Sequence, residues 1–199
     1  MTDKATSSAL DRRQVVARLL RDRRDLIAVS SLGSPTYDLA AAGDHDRNFY
    51  LWGAMGGAIP LGLGLALAQP EIPIAVFVGD GEALMSMGSF ATIALQRPAN
   101  LSIVILDNGL YGETGAQPSH TASTADLAAI ARACGITSGL IVENERDVEA
   151  LAERINAVGA GPAVAVVKID PAEKARCLPS RDGVLLKTRV RAALGFESM

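Results

Sequence analysis

Five apolar runs, at residues 26–29, 72–78, 101–106, 138–142 and 163–169, are nearly unbroken by polar side chains. A strand with one face in water alternates apolar and polar residues, so runs of this kind belong to strands covered on both sides. Helical patterns fall between them, at residues 11–20, 59–68, 82–95, 124–134 and 145–158. Strands alternating with helices define an α/β domain of three layers, α/β/α, with a mostly parallel sheet in the middle. Pro60 falls in a first helical turn, where its missing N–H costs little, and Ser123 or Thr124 is placed to cap the helix that follows. The 199 residues suit one domain, assigned to residues 1–170, with residues 171–199 as an appendage.

The stretch FYLWGAMGGAIPLGLGLALAQ, residues 49–69, carries no charge and is long enough to cross a bilayer. Its five glycines, its proline and the apolar strand directly after it favour a tight loop followed by a buried, small-residue helix, and no membrane span is expected. The N-terminus carries charge where a signal peptide needs an apolar core. Cys134 and Cys177 are too few for a disulfide framework or a four-cysteine metal site. A cytoplasmic protein is expected. The formal charge of −3 argues against nucleic acid as a partner, which would normally call for a basic excess. Basic residues do gather near the end (Lys174, Arg176, Arg181, Lys187, Arg189, Arg191), where a solvated tail or a subunit contact accounts for them.

Several motifs are absent. Gly62-Leu-Gly64 lacks the third glycine of a dinucleotide fingerprint and lies within a helix rather than at its start, and no Gly-Lys-Ser/Thr phosphate loop or Gly-x-Ser-x-Gly elbow occurs. His45 and His120 are too few for a histidine-rich metal site. What remains is Val78-Gly79-Asp80-Gly81-Glu82-Ala83, a strand end, a tight turn and a helix start. Free N–H groups at such a turn suit a phosphate group, and Asp80 could hold a hard cation beside it. The next strand ends in Asp107-Asn108-Gly109-Leu110-Tyr111-Gly112. A strand–helix–strand crossover brings the two turns together, so Asp80 and Asn108 become two oxygen ligands suited to Mg²⁺.

Gly-Asp-Gly, 26 intervening residues, then Asn108 in an Asn-Gly-x-Tyr-Gly setting resembles the signature of thiamine diphosphate-dependent enzymes. Asn48-Phe-Tyr-Leu-Trp-Gly-Ala-Met-Gly56 resembles the loop that presses on the thiazolium ring in that family. The segment from Tyr111 to Pro118 resembles the one that follows the metal site in sulfopyruvate and phosphonopyruvate decarboxylases, above all the separate diphosphate-binding β subunit of the former. The resemblance covers residues 25–170. It implies the thiamine diphosphate-binding fold, with Asp80, Asn108 and the backbone carbonyl of Leu110 as Mg²⁺ ligands. It also implies Gly53 as acceptor for the aminopyrimidine and Met55 as the apolar wedge that bends the cofactor, the two residues nearest the chemistry. Gly79, Gly81, Glu82 and Ala83 would contact the diphosphate region, and Tyr111 and Gly112 would complete the cofactor site.

Two positions depart from the family pattern. Asp107 stands where many relatives carry Asn. Glu82 opens the helix where Ser or Ala is frequent; its charge repels diphosphate, so it is expected to face metal-bound water or solvent. Glu113, Gln117 and His120 are loop residues for which substrate contact and no role are equally open, Trp52 is expected to pack, and Cys134 is expected in a helix core. The resemblance further implies that the Glu activating the cofactor comes from a pyrimidine-binding α subunit, giving a hetero-oligomer whose substrate is a small 2-oxo acid, decarboxylated to CO₂ and an aldehyde. A β subunit of a 2-oxoacid oxidoreductase, a carboligase, or a cofactor-binding regulatory subunit would use the same module.

Overall fold

The computed structural model describes residues 9–196; the expectations for residues 1–8 and 197–199 lie outside them. Helix α1 (Arg12–Leu20) precedes strand β1 (Ile27–Ser30) and helix α2 (Gly33–Ala41). Strand β2 (Asn48–Tyr50) leads through a loop to α3 (Ala58–Ala68) and β3 (Ile74–Gly79). Helices α4 (Asp80–Met85) and α5 (Met87–Gln96) precede β4 (Leu101–Asp107) and a small hairpin, β5 (Leu110–Tyr111) and β6 (Gln117–Pro118). The chain closes with α6 (Leu127–Ala133), β7 (Ser138–Val142), α7 (Glu145–Ile155), β8 (Ala163–Lys168) and α8 (Gly183–Ala193).

Six strands form one sheet in the order β2-β1-β3-β4-β8-β7, every neighbouring pair parallel. The unbroken apolar runs have the physical cause read from them. Along β3, Ile74, Val76 and Val78 face the layer of α3, α5 and α6, while Ala75 and Phe77 face α1, α2 and α7. Both faces are dry, so neither register of side chains can be polar. Among the described residues no helix is long and apolar enough to cross a membrane. The charge-free stretch instead supplies edge strand β2, a loop and the eleven-residue α3.

Four elements escaped the sequence patterns: α2, β2, the β5–β6 hairpin and α8. The helix expected over residues 82–95 is two helices that begin at Asp80 and break at Ser86, whose hydroxyl donates to the carbonyls of Gly56 (2.7 Å) and Glu82 (3.2 Å). A serine bonded back to its own helix bends or ends it. The cap of α6 is Asp126, which accepts from the amide of Ala129, not Ser123 or Thr124, which follow a short 3₁₀ turn at His120–Ala122.

Residues between 171 and 196 are held to the rest of the chain. Leu186 and Val190 of α8 are buried, Trp52 Nε1 donates to the carbonyl of Ser180 (2.7 Å), and the guanidinium of Arg181 lies over the Trp52 ring. Lys174 pairs with Asp11, Arg176 with Glu113, and Arg189 with Asp44. Much of the basic cluster is thus engaged within the chain, so a purely solvated tail does not describe it. Burial pushes the Asp44 carboxyl up, but the two-pronged Arg189 contact (2.6 and 3.1 Å) outweighs it, and the pKa lies below the usual carboxylate value. A carboxylate depressed by folding adds stability that is complete above its unfolded pKa, about 3.9, and is lost as pH falls through the lower folded value. Arg189→Met should therefore lower the thermal midpoint at pH 6 and flatten its fall between pH 5 and 3. Parallel wild-type and variant curves over that range would show that the pair does not hold α8.

Candidate functional site at the carboxyl ends of three strands

The chain leaves β1 for β2 on one side, while β3 pairs with β1 on the other, and α2 and α3 cover opposite faces of the sheet. Helices diverging in this way leave a crevice outside the strand ends, the usual place for a ligand in an open α/β sheet. A cleft of about 140 Å³ lies there. It is lined by the loop after β1 (Leu32 to Pro35), the turn after β3 (Gly79 to Glu82), the turn after β4 with its hairpin (Asn108, Leu110 to Thr114), and Met55.

Most of the residues singled out from the sequence meet here. Gly79, Asp80, Gly81, Glu82, Asn108, Leu110, Tyr111, Gly112 and Met55 all line the cleft. A Cβ on Gly81 would lie 2.9 Å from the Tyr111 ring and 3.7 Å from the Met55 methyl, so that position closes the turn against both side chains only as glycine. Gly53 and Ala83 do not line it. Gly53 is exposed in the loop before Met55 at φ +67°, and Ala83 is buried in the core beneath α4. Glu113 lines the cleft; Gln117 is turned to Thr114, and His120 Nδ1 is 2.5 Å from the Tyr111 hydroxyl. Trp52, as expected, packs, and it does so at φ +44°, a strained value for a bulky residue.

Asp80 is 2% exposed, and its Oδ2 accepts from the hydroxyls of Ser119 and Thr121. Burial, together with the charge of Asp107, holds its carboxyl above the usual range against the pull of those two hydroxyls. Both side-chain donors take the same oxygen, so Oδ1 has none from the described side chains. On the adjacent strand end Asn108 Oδ1 accepts from the amide of Leu110 (3.0 Å), shaping the turn that carries the Leu110 carbonyl. No cluster of three or more His, Cys, Asp or Glu suited to a metal exists among the described residues. One carboxylate, one amide oxygen and one peptide carbonyl would suit a hard cation only if a bound ligand and water supply the remaining oxygens. No Lys, Arg or His lines the cleft either, so an anion there depends on N–H groups and such a cation.

Glu82 corrects an expectation. It is 4% exposed, so it does not face solvent, although it lines the cleft. Its Oε2 accepts from Ser31 Oγ (2.5 Å) and its Oε1 from the amide of Gly56 (3.2 Å), and burial raises its pKa. It thereby ties the Gly-Asp-Gly turn to the Met55-Gly56 loop. Asp107 likewise has partners that make it fit: it accepts from the amide of Gly109, from Thr121 and from Lys168 Nζ (2.5 Å).

Sequence reasoning missed the wall formed by Leu32, Gly33 and Ser34. There α2 begins without a side-chain cap, leaving its first N–H groups to the cleft. A signal was present, since Gly33-Ser34-Pro35 directly follows an apolar strand and Pro is at home in a first helical turn. Ser119 and Thr121 were also missed, and no spacing announces them; they reach Asp80 only through the folded chain.

Fold and cleft together define a class, the open parallel α/β domains with a ligand cleft at a topological switch point. Comparison with known proteins narrows it. Residues 36–169 match the family model of the thiamine pyrophosphate enzyme, C-terminal TPP binding domain, and the chain belongs to that family, near the β subunits of sulfopyruvate decarboxylases. It is 44% identical over 124 residues to sulfopyruvate decarboxylase subunit beta of Methanocaldococcus jannaschii, covering 61% of this chain and 65% of that one. It is 45% identical over 112 residues to phosphonopyruvate decarboxylase of Streptomyces viridochromogenes, covering 56% of this chain but only 28% of that protein. The fold matches that of benzoylformate decarboxylase from Polynucleobacter necessarius with a TM-score of 0.71 at 21% identity, over 87% of this chain and 36% of that chain. The matched stretch thus spans less than two thirds of each of these relatives.

Proposed function

We propose that this chain binds thiamine diphosphate through Mg²⁺ and acts as the β subunit of a decarboxylase for a small 2-oxo acid carrying a second anionic group, of the sulfopyruvate or phosphonopyruvate type. The observation that carries the reading is that Asp80, Asn108 and Leu110 line one cleft at two adjacent strand ends, where no cationic side chain among the described residues lines it. A diphosphate there needs a divalent cation, and these oxygens are the donors it would have. Asp80, Asn108 and Leu110 would hold the Mg²⁺, with N–H groups of the Gly79–Gly81 and Leu32–Ser34 turns on the phosphates. Met55, 42% exposed at the edge of the cleft, would be covered by the cofactor ring it supports, and the Gly53 carbonyl would accept from the aminopyrimidine. Bound thiamine diphosphate would supply the electron sink that lets CO₂ leave a 2-oxo acid.

Two features support a partner. The similar phosphonopyruvate decarboxylase is more than three times as long as the stretch matched here, and other similar proteins are called β subunits. Among the described residues the cleft also offers no Lys, Arg or His for a substrate's sulfonate or phosphonate. We assign both that cation and the activating Glu to a pyrimidine-binding α subunit. The test is to purify the full chain with whatever co-elutes from its host and add thiamine diphosphate and Mg²⁺. Release of CO₂ from sulfopyruvate or phosphonopyruvate is then measured with the co-eluting chain present and with it removed. The expected result is turnover only when both chains are present. Turnover by this chain alone would sink the split site, and inert 2-oxo acids of both kinds in the intact complex would sink the substrate class.

A further inference from the structure

One short segment, Ser119 to Ala122, touches both Asp80 and the turn that carries Asn108 and Leu110. The Ser119 hydroxyl donates to Asp80 Oδ2. Thr121 Oγ1 lies 2.9 Å from the same oxygen and 2.7 Å from Asp107 Oδ1, and 2.8 Å from Ser119 Oγ. The Ser119 amide donates to the carbonyl of Gly109 (2.7 Å), within the turn that carries Asn108 and Leu110. At Gly109, φ +70°, a Cβ would stand 3.3 Å from the Ala122 methyl, so the segment also packs against that turn. Lys168 Nζ holds the far oxygen of Asp107, fixing the other end of the chain of contacts.

We infer that Ser119 and Thr121 are positioning residues for the metal: their hydroxyls fix the Asp80 carboxylate at a set distance from the Asn108–Leu110 turn. A carboxylate at the first position of a helix, as Asp80 is in α4, can rotate about its side-chain bonds, and a cation held by only three protein oxygens tolerates little rotation. The Ser119 hydrogen, with the Thr121 hydrogen shared between Asp80 and Asp107, restrains that rotation through Oδ2 and leaves Oδ1 without a donor among the described side chains. Thr121 carries one hydroxyl hydrogen and faces two carboxylates, so it links the end of β3 to the end of β4 rather than serving either alone. Ser119 is buried and Thr121 partly buried, so these contacts are shielded from solvent. Partners of this kind around a metal ligand commonly change affinity by about 10–100-fold when removed.

The inference rests on the thiamine diphosphate and Mg²⁺ reading, and the test separates the two. Full-length chain is titrated with Mn²⁺ in the presence of thiamine diphosphate, and free Mn²⁺ is followed by electron paramagnetic resonance; thermal midpoints are recorded without metal or cofactor. Thr121→Val keeps the shape and removes the hydroxyl, Thr121→Ser keeps the hydroxyl, and Ser119→Ala removes the second donor. Thr121→Val and Ser119→Ala should weaken Mn²⁺ binding by about 10–100-fold, with Thr121→Ser restoring it to within about threefold of wild type. The loss should appear in Mn²⁺ affinity while the metal-free midpoint of Thr121→Ser and Ser119→Ala stays within a few degrees. Wild-type affinity in Thr121→Val and Ser119→Ala would overturn the positioning role while leaving the cofactor reading intact. A loss in Thr121→Ser equal to that in Thr121→Val would overturn it as well, since the hydroxyl would then not be what matters. Wild-type protein that takes up no Mn²⁺ with thiamine diphosphate present would overturn the cofactor reading itself, and this inference with it.

Discussion

Asp80→Ala should abolish metal-dependent binding of thiamine diphosphate, weakening it by at least about 100-fold, or about 2.7 kcal/mol. Asp80 is the only carboxylate among the three proposed protein ligands, and among the described residues no basic side chain lines the cleft, so a diphosphate there depends on the cation that Asp80 would hold. The same change should leave the fold intact. Burial pushes the Asp80 pKa up, which marks a carboxylate the fold tolerates rather than one it depends on. Calorimetric titration with thiamine diphosphate, with Mg²⁺ and again with a chelator, measures the first claim. For wild type, cofactor at about 100 times its Kd adds about 2.7 kcal/mol, roughly 5–10 °C of melting temperature for a chain of this size. The variant should show the wild-type midpoint without ligand and no rise with it. A variant that binds as tightly as wild type would remove Asp80 from the site, and a variant that unfolds would reassign it to the scaffold.

The parts of this site that were legible in the sequence are those where one strand end carries its own chemistry. Gly79, Asp80 and Gly81 follow a strand whose apolar run announces it, and a crossover of ordinary length brings Asn108 beside them in the sheet. The illegible parts have two physical causes. Short elements give too little periodicity: β2 is three residues long and β5 and β6 are two each, while α2 has Gly, Ser and Pro at its start and so reads as a turn. Contacts between distant residues leave no spacing to read. Glu82 looked like a charge at a helix start and is instead the acceptor for Ser31, 51 positions away, and Asp80 meets Ser119 across 39 positions. Asp107, a departure from the family pattern in sequence, has Lys168 beside it on the neighbouring strand, register partners in the sheet.

Gly62→Ala should destabilise the chain by about 2 kcal/mol and lower its melting temperature by roughly 4–8 °C, although alanine is the better helix former. Gly62 lies in the middle of α3, and a Cβ there would sit 2.2 Å from Val76 Cγ2, with Leu101 Cδ1 behind it at 3.6 Å. Val76 has a stiff side chain in the fully buried β3, so it cannot swing clear, and either the helix or the strand must shift. Relief of backbone entropy offers about 0.5–1 kcal/mol in the other direction, which overpacking at this distance exceeds. Gly64, two residues further along the same helix, is the internal control, since a Cβ there meets nothing within 4 Å. Gly64→Ala should therefore stabilise by about 0.5–1 kcal/mol, and the two substitutions should differ in sign. Chemical denaturation of both variants measures this directly, and a gain in both would mean that α3 does not press on the sheet at Gly62. The consequence reaches the site, because β3 runs on from Val76 to Gly79 and Asp80. A strand pushed aside at Val76 moves Asp80 against Asn108 on β4, so Gly62→Ala should weaken thiamine diphosphate binding as well as stability, whereas Gly64→Ala should leave binding unchanged.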